Sequence, residues 1–95
     1  MEAIEILEGC LGAAKGMHGE LIDISGDQQR LLWLESQLSN VIGQLQGMLA
    51  DIEVGLTLQD IGFSSQKEFE EMIEDIEAQM NNLKMQIHAL REVGR

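Results

Sequence analysis

The residues that could do chemistry are concentrated near the start of the chain. Residues 9–19 read GCLGAAKGMHG, which brings together four glycines, a lysine, a histidine and the only cysteine. Such a set could belong to a phosphate-binding loop, to a metal site or to a helix with one bare face. The spacing of these residues distinguishes the three.

A phosphate-binding loop does not fit the spacing. That loop reads G-x-x-x-x-G-K-[ST] and follows a strand, because its backbone amides must surround the phosphates. Here Gly9 and Gly12 are too close together, and Lys15 is followed by Gly16 instead of Ser or Thr. We therefore expect no phosphate-binding loop.

A metal site or a catalytic site is not indicated either. Cys10 and His18 are eight residues apart, not the three or four that place two side chains at one level of a helix. His18 falls on the apolar stripe, where a partly buried, hydrogen-bonded histidine is common. No nucleophile is paired with a base, so we expect no metal, no cofactor and no enzymatic activity.

The helical interpretation accounts for the glycines best. Their spacing of three, four and three places them on one helix face, roughly opposite the apolar stripe. Each interior glycine costs a helix about 1 kcal/mol relative to alanine. A close approach by another backbone or a ligand would offset that cost, whereas the alternative is a marginal, mobile helix. If oligomers surround a pocket here, a small anionic ligand would contact Gly9, Gly12, Lys15, Gly16, His18, Gly19 and Arg30.

Charge and length restrict the class of partner. The chain has 95 residues, enough for one domain (1–95), and a net charge of −11. Nucleic acid and anionic membranes require clustered Lys and Arg, which this chain lacks. No apolar run approaches the roughly 20 residues of a membrane-spanning helix. The acidic N-terminus is unlike a secretory signal and the lone cysteine favours a reducing compartment, so we expect a cytoplasmic protein.

The absence of proline and the abundance of Leu, Ile, Met, Glu and Gln favour helix over strand. Apolar periodicity predicts an all-α fold with helices over about 2–24, 27–53 and 65–93. The first two helices should form an antiparallel hairpin (1–53), followed by a connector (54–64) and a coiled-coil helix (65–95). Ser25, Gly26 and Asp27 would provide the break before the second helix.

The connector is expected to contain a turn of its own. Thr57 with Asp60 could cap a single turn, which ends at Gly62.

The third helix carries the clearest pattern. Ser65 and Glu68 form a Ser-x-x-Glu capping box at its start, and Gly94 marks its end. Seven apolar residues recur at alternating spacings of four and three, a narrow stripe typical of a coiled coil. We predict that this seam is an interface of a homodimer or larger homo-oligomer, formed by Phe69, Ile73, Ile76, Met80, Leu83, Ile87 and Leu90.

The charges of the third helix suggest an orientation for that pairing. Glu70, Glu77, Lys84 and Arg91 lie on one heptad flank. In an antiparallel pair of these helices, Glu70 meets Arg91 and Glu77 meets Lys84, whereas a parallel pair opposes like charges. We expect antiparallel pairing, either with a second chain or with the second helix of the same chain.

The segment DIGFSSQKEFEEMIEDIE, followed by a heptad helix, is similar to the end of the DNA-binding domain in mercury-resistance-type regulators. In that family, a Gly-Phe-Ser turn also leads into a long dimerisation helix. The similarity covers a short part of the chain and omits the winged-helix part that contacts DNA. It therefore transfers no function.

Two functions remain open at this point. The first is a non-catalytic adaptor, inhibitor or chaperone-type module that binds another protein through its acidic face or through an apolar patch. The residues expected to bind the partner are Leu32, Trp33, Glu70, Glu71 and Glu74. The alternative is an oligomeric protein that sequesters a small anionic, nucleotide-like ligand at the glycine face of the first helix.

Overall fold

Three helices make up the computed structural model, which describes residues 3–24 and 28–93. They are α1 (Ala3–Ile22), α2 (Gln28–Glu53) and α3 (Gln66–Val93). The described residues contain no strand. The predicted all-α fold with three helices is confirmed, with each described boundary within a few residues. The predicted break at Ser25, Gly26 and Asp27 and the predicted end at Gly94 lie outside the described residues.

The order of the helices follows from their connections. The link between α1 and α2 is too short to cross a bundle 46 Å long, so α2 runs back along α1. The longer connector after α2 returns the chain, and α3 runs parallel to α1. Arg91 near the end of α3 accordingly lies 3.8 Å from Glu20 near the end of α1, measured from Nη1 to Oε2.

The core lies inside the single chain and is formed by the apolar stripes of all three helices. The α3 seam packs into it, although we predicted that this seam joins separate chains. In this fold the seam is not exposed to a second copy, because α1 and α2 already bury it. The buried residues are Leu7, Cys10, Leu11, Ala14, Met17, Leu21, Leu34, Leu38, Val41, Leu45, Phe69, Ile73, Ile76, Met80, Leu83 and Ile87, with Leu90 packed at the edge.

The connector is a small folded unit of its own. The backbone N–H of Thr57 donates to the Asp60 carboxylate at 2.8 Å, and the N–H of Asp60 donates to the Thr57 hydroxyl at 3.2 Å. This reciprocal cap confirms the predicted turn, which closes at Gly62 with a φ of +109°. The ring of Phe63 then packs edge-on against that of Phe69, with centroids 5.5 Å apart.

The cap of α3 differs in one detail from the capping box. The N–H of Glu68 donates to the Ser65 hydroxyl at 3.2 Å, as predicted. The Glu68 carboxylate, however, accepts hydrogen bonds from the N–H and hydroxyl of Ser64 instead of from Ser65. The cap therefore extends one residue further into the connector.

Candidate functional site

A groove with a volume of about 690 Å³ lies between α1 and α3. We call it the α1–α3 groove. Its floor is apolar and consists of Ile6, Met17 and Met80 together with the buried thiol of Cys10. The α1 wall is almost flat.

That flat wall explains why the groove exists. Gly9, Ala13 and Gly16 face it from α1, and none of them carries a side chain beyond Cβ. A Cβ placed at Gly9 or Gly16 would meet nothing within 4 Å, so α3 does not approach α1 closely there. The helices touch along their seams, and the space beside the seams stays unfilled.

The rim of the groove is polar and mainly acidic. Glu5 and Glu20 stand on the α1 side, and Glu77, Asn81 and Lys84 stand on the α3 side. Because Glu20 is paired with Arg91, the rim presents the carboxylates of Glu5 and Glu77 against the one ammonium group of Lys84. The local electrostatic field of this rim favours a cationic over an anionic occupant.

Cys10 illustrates the chemistry of the groove floor. Burial raises the pKa of its thiol above the ordinary value, and the nearby Glu77 carboxylate raises it further. The thiolate is the reactive form of cysteine, so both effects suppress nucleophilic reactivity at neutral pH. The thiol behaves as part of the apolar floor.

The residues predicted to surround an anionic ligand are not brought together. Gly9 and Gly16 line the groove, whereas Gly12, Lys15 and Gly19 are exposed and do not contribute to it. His18 lies with Nε2 3.9 Å from Oε1 of Glu35, so it faces α2. Arg30 is exposed in the first turn of α2 and does not line the groove either.

The residues predicted to bind a protein partner are all accessible. Leu32 is 64 % exposed and Trp33 is 49 % exposed, both near the start of α2. Glu70, Glu71 and Glu74 are exposed on α3. Since α2 contributes nothing to the α1–α3 groove, the Leu32/Trp33 patch is a separate surface.

The heptad flank of α3 does face another helix, but within the chain. Glu77 and Lys84 line the groove beside α1, and Arg91 forms an ion pair with Glu20. Glu70 lines a second cavity of about 510 Å³ that also contains Ala3 of α1. The flank predicted to face an antiparallel copy of α3 thus runs along the parallel helix α1.

The rim and the floor of the groove were not among the residues predicted from the sequence. The missing signal was present in the spacing of one face of α1. Glu5, Gly9, Ala13, Gly16 and Glu20 follow one another at intervals of four, four, three and four. This pattern describes a small-residue stripe with a carboxylate at each end.

Within the described ranges, no group of three or more His, Cys, Asp or Glu side chains could hold a metal ion. None of the helices there combines the length and the apolar character needed to cross a membrane. The chain matches no protein-family model, and comparisons with curated proteins and with solved structures found no significant match.

Proposed function

We propose that this chain is a non-catalytic protein-binding module that captures a basic partner protein through the acidic first half of α3. Residues 68–77 contain six acidic and no basic side chains. An unneutralised surface of this kind attracts positively charged proteins and speeds their association. The module would act as an adaptor, an inhibitor or a chaperone.

The observation that carries this proposal is the state of those acidic side chains. Glu70, Glu71 and Glu74 are exposed, and no ion pair among the described residues neutralises them. By contrast, Arg91 at the other end of α3 is already paired with Glu20. The negative charge of the first half of α3 is therefore free to interact with another molecule.

The packing of α3 favours a partner protein over self-association. The seam on which a homo-oligomer was expected to form is buried in the core of one chain. A net charge of −11 also opposes the approach of a second copy. The lone, buried cysteine is compatible with a reducing compartment, and we propose the cytoplasm.

The alternative of a small anionic ligand receives less support. The two glycines that line the groove lie beside Glu5, Glu20 and Glu77. Like charges would repel an anion there. Lys15 and Arg30, the cations expected to offset this repulsion, do not contribute to the groove.

A pair of matched charge-reversal variants tests the proposal. The triple variant Glu70→Lys, Glu71→Lys and Glu74→Lys reverses the acidic face of α3. The control triple variant Asp51→Lys, Glu53→Lys and Glu92→Lys changes the net charge equally at exposed positions elsewhere. In affinity capture from cell extract, partner recovery should fall for the first variant alone and should weaken with salt. Equal recovery with both variants would contradict the proposal.

A further inference from the structure

We infer that the α1–α3 groove is the binding site for an amphipathic helix of another protein. That helix carries Lys or Arg on both flanks of its apolar face. The inference rests on the proposed protein-binding function and identifies the kind of partner segment and the place where it binds. Binding would convert the three-helix bundle into a four-helix bundle in which the groove floor is no longer exposed to water.

The length of the groove fits a helix. Glu5 and Glu20 line it from opposite ends and are fifteen residues apart on α1. At 1.5 Å per residue, this separation is about 22 Å, or roughly four helical turns. A compact small molecule would occupy only part of the length of the groove.

The wall and the floor fit the same occupant. Gly9, Ala13 and Gly16 let a neighbouring backbone approach α1 closely, because the distance between packed helices depends on the side chains at the contact. Ile6, Met17 and Met80 then offer apolar surface to side chains at intervals of three and four. Methionine adapts to partner side chains of different shapes.

The rim selects the charge of the occupant. A helix lying in the groove places its flanks beside the carboxylates of Glu5 on α1 and Glu77 on α3, whereas Glu20 is already paired with Arg91. Basic flanks would be attracted and acidic flanks repelled. Charge repulsion likewise disfavours a second copy of this strongly acidic chain as the occupant.

The test uses a synthetic helical peptide of about 18 residues, equivalent to five turns. It carries leucine on one face and lysine on both flanks, and a matched peptide carries glutamate in place of lysine. The first readout is the rate at which iodoacetamide alkylates Cys10, the only cysteine and a floor residue. At saturation, the lysine peptide should slow alkylation by about tenfold, as expected when a partner excludes water from the contact. The glutamate peptide should leave the rate unchanged.

Glycine substitutions locate the binding. One double variant fills the groove with two leucines, Gly9→Leu and Gly16→Leu. The control double variant places two leucines on the same helix outside the groove, Gly12→Leu and Gly19→Leu. A Cβ meets nothing within 4 Å at any of the four positions, so we expect both double variants to fold. Circular dichroism verifies folding. Peptide affinity, measured by fluorescence anisotropy, should fall by about tenfold or more for the first pair alone.

Each outcome bears on a specific part of the inference. Unchanged affinity in the Gly9/Gly16 variant, equal protection by the glutamate peptide, or concentration-dependent protection of Cys10 without peptide would overturn it. The Glu70/Glu71/Glu74 triple variant is measured alongside. If this variant alone loses binding, the groove is excluded and the proposed acidic face stands. If the groove-filling variant alone loses binding, the groove stands and the peptide does not bind to the acidic face.

Discussion

Arg91 of α3 and Glu20 of α1 form an ion pair in which Nη1 and Oε2 are 3.8 Å apart. The pair joins two helix ends that carry the same partial negative charge, because the C-termini of parallel helices lie side by side. His88 adds a second nitrogen 4.0 Å from the same Glu20 oxygen. This arrangement supports the parallel packing of α1 and α3.

Removal of Arg91 should have a small, salt-dependent effect. Both side chains are about half exposed. Ion pairs at such positions contribute less than about 1 kcal/mol to the free energy of unfolding. We expect Arg91→Ala to lower the free energy of unfolding within that range at low salt and by less at high salt. Urea denaturation at two salt concentrations measures this, with Lys67→Ala as the control. An effect independent of salt would show that Arg91 acts through packing.

The burial of Ile76 predicts a large loss of stability on truncation. Ile76→Ala removes side-chain volume from the middle of the core and should cost about 2–5 kcal/mol. Met85→Ala, at an exposed position on the same helix, should change stability by about 0.5 kcal/mol or less. Thermal denaturation at several protein concentrations gives both values.

The same experiment distinguishes a core from an interface between chains. If Ile76 belongs to the core of one chain, the melting temperature of the unaltered protein will not depend on its concentration. A melting temperature that rises with concentration would support the assembly predicted from the α3 seam.

Glycines in open helix faces should be replaceable with a gain in stability. A Cβ at Gly12 or Gly43 would meet nothing within 4 Å. Gly12→Ala and Gly43→Ala should each stabilise the protein by up to about 1 kcal/mol, since alanine is the better helix former. Gly62→Ala should destabilise it, because a φ of +109° strains any residue with a Cβ. Chemical denaturation of the three variants tests both signs.

The turn at Thr57 and Asp60 predicts a pH dependence of stability. Hydrogen bonds from the backbone and hydroxyl of Thr57 lower the pKa of the Asp60 carboxyl below its ordinary value of 3.8. A lowered pKa in the folded state means that this stabilisation is fully present above pH 3.8 and is lost as the pH falls through the lowered value. Asp60→Asn should therefore reduce the decline in stability at acidic pH. Urea denaturation from pH 7 to pH 2 measures the free energy of unfolding of both proteins. An equal loss of stability at acidic pH in the variant and the unaltered protein would contradict this role.

The proximity of Glu77 to Cys10 predicts a change in thiol reactivity. Glu77→Gln removes a charge that raises the pKa of the thiol, so alkylation of Cys10 should accelerate at a fixed pH. The gain should be modest because burial, the larger cause of the raised pKa, is retained. Glu74→Gln makes the same change of charge outside the groove and serves as the control. Equal rates in the two variants would show that the Glu77 charge does not reach the thiol.

Local signals in the sequence determined the helices and their caps. The capping residues Ser65 and Glu68 start α3, and the turn from Thr57 to Gly62 forms where its side chains predicted it. These features depend on hydrogen bonds between residues three or four positions apart, so the chain specifies them before it folds. Apolar periodicity likewise determined which face of each helix is buried.

Only the tertiary structure decided which surface buries each face. The heptad seam of α3 requires an apolar partner, but its pattern is satisfied equally by a second chain or by α1 and α2. A connector of the length found after α2 permits either arrangement. The packing of α3 beside α1 paired Arg91 with Glu20 and placed Glu77 near Cys10. It also left Gly9, Ala13 and Gly16 facing an unfilled groove. Because these relationships join residues far apart in sequence, no local pattern could specify them.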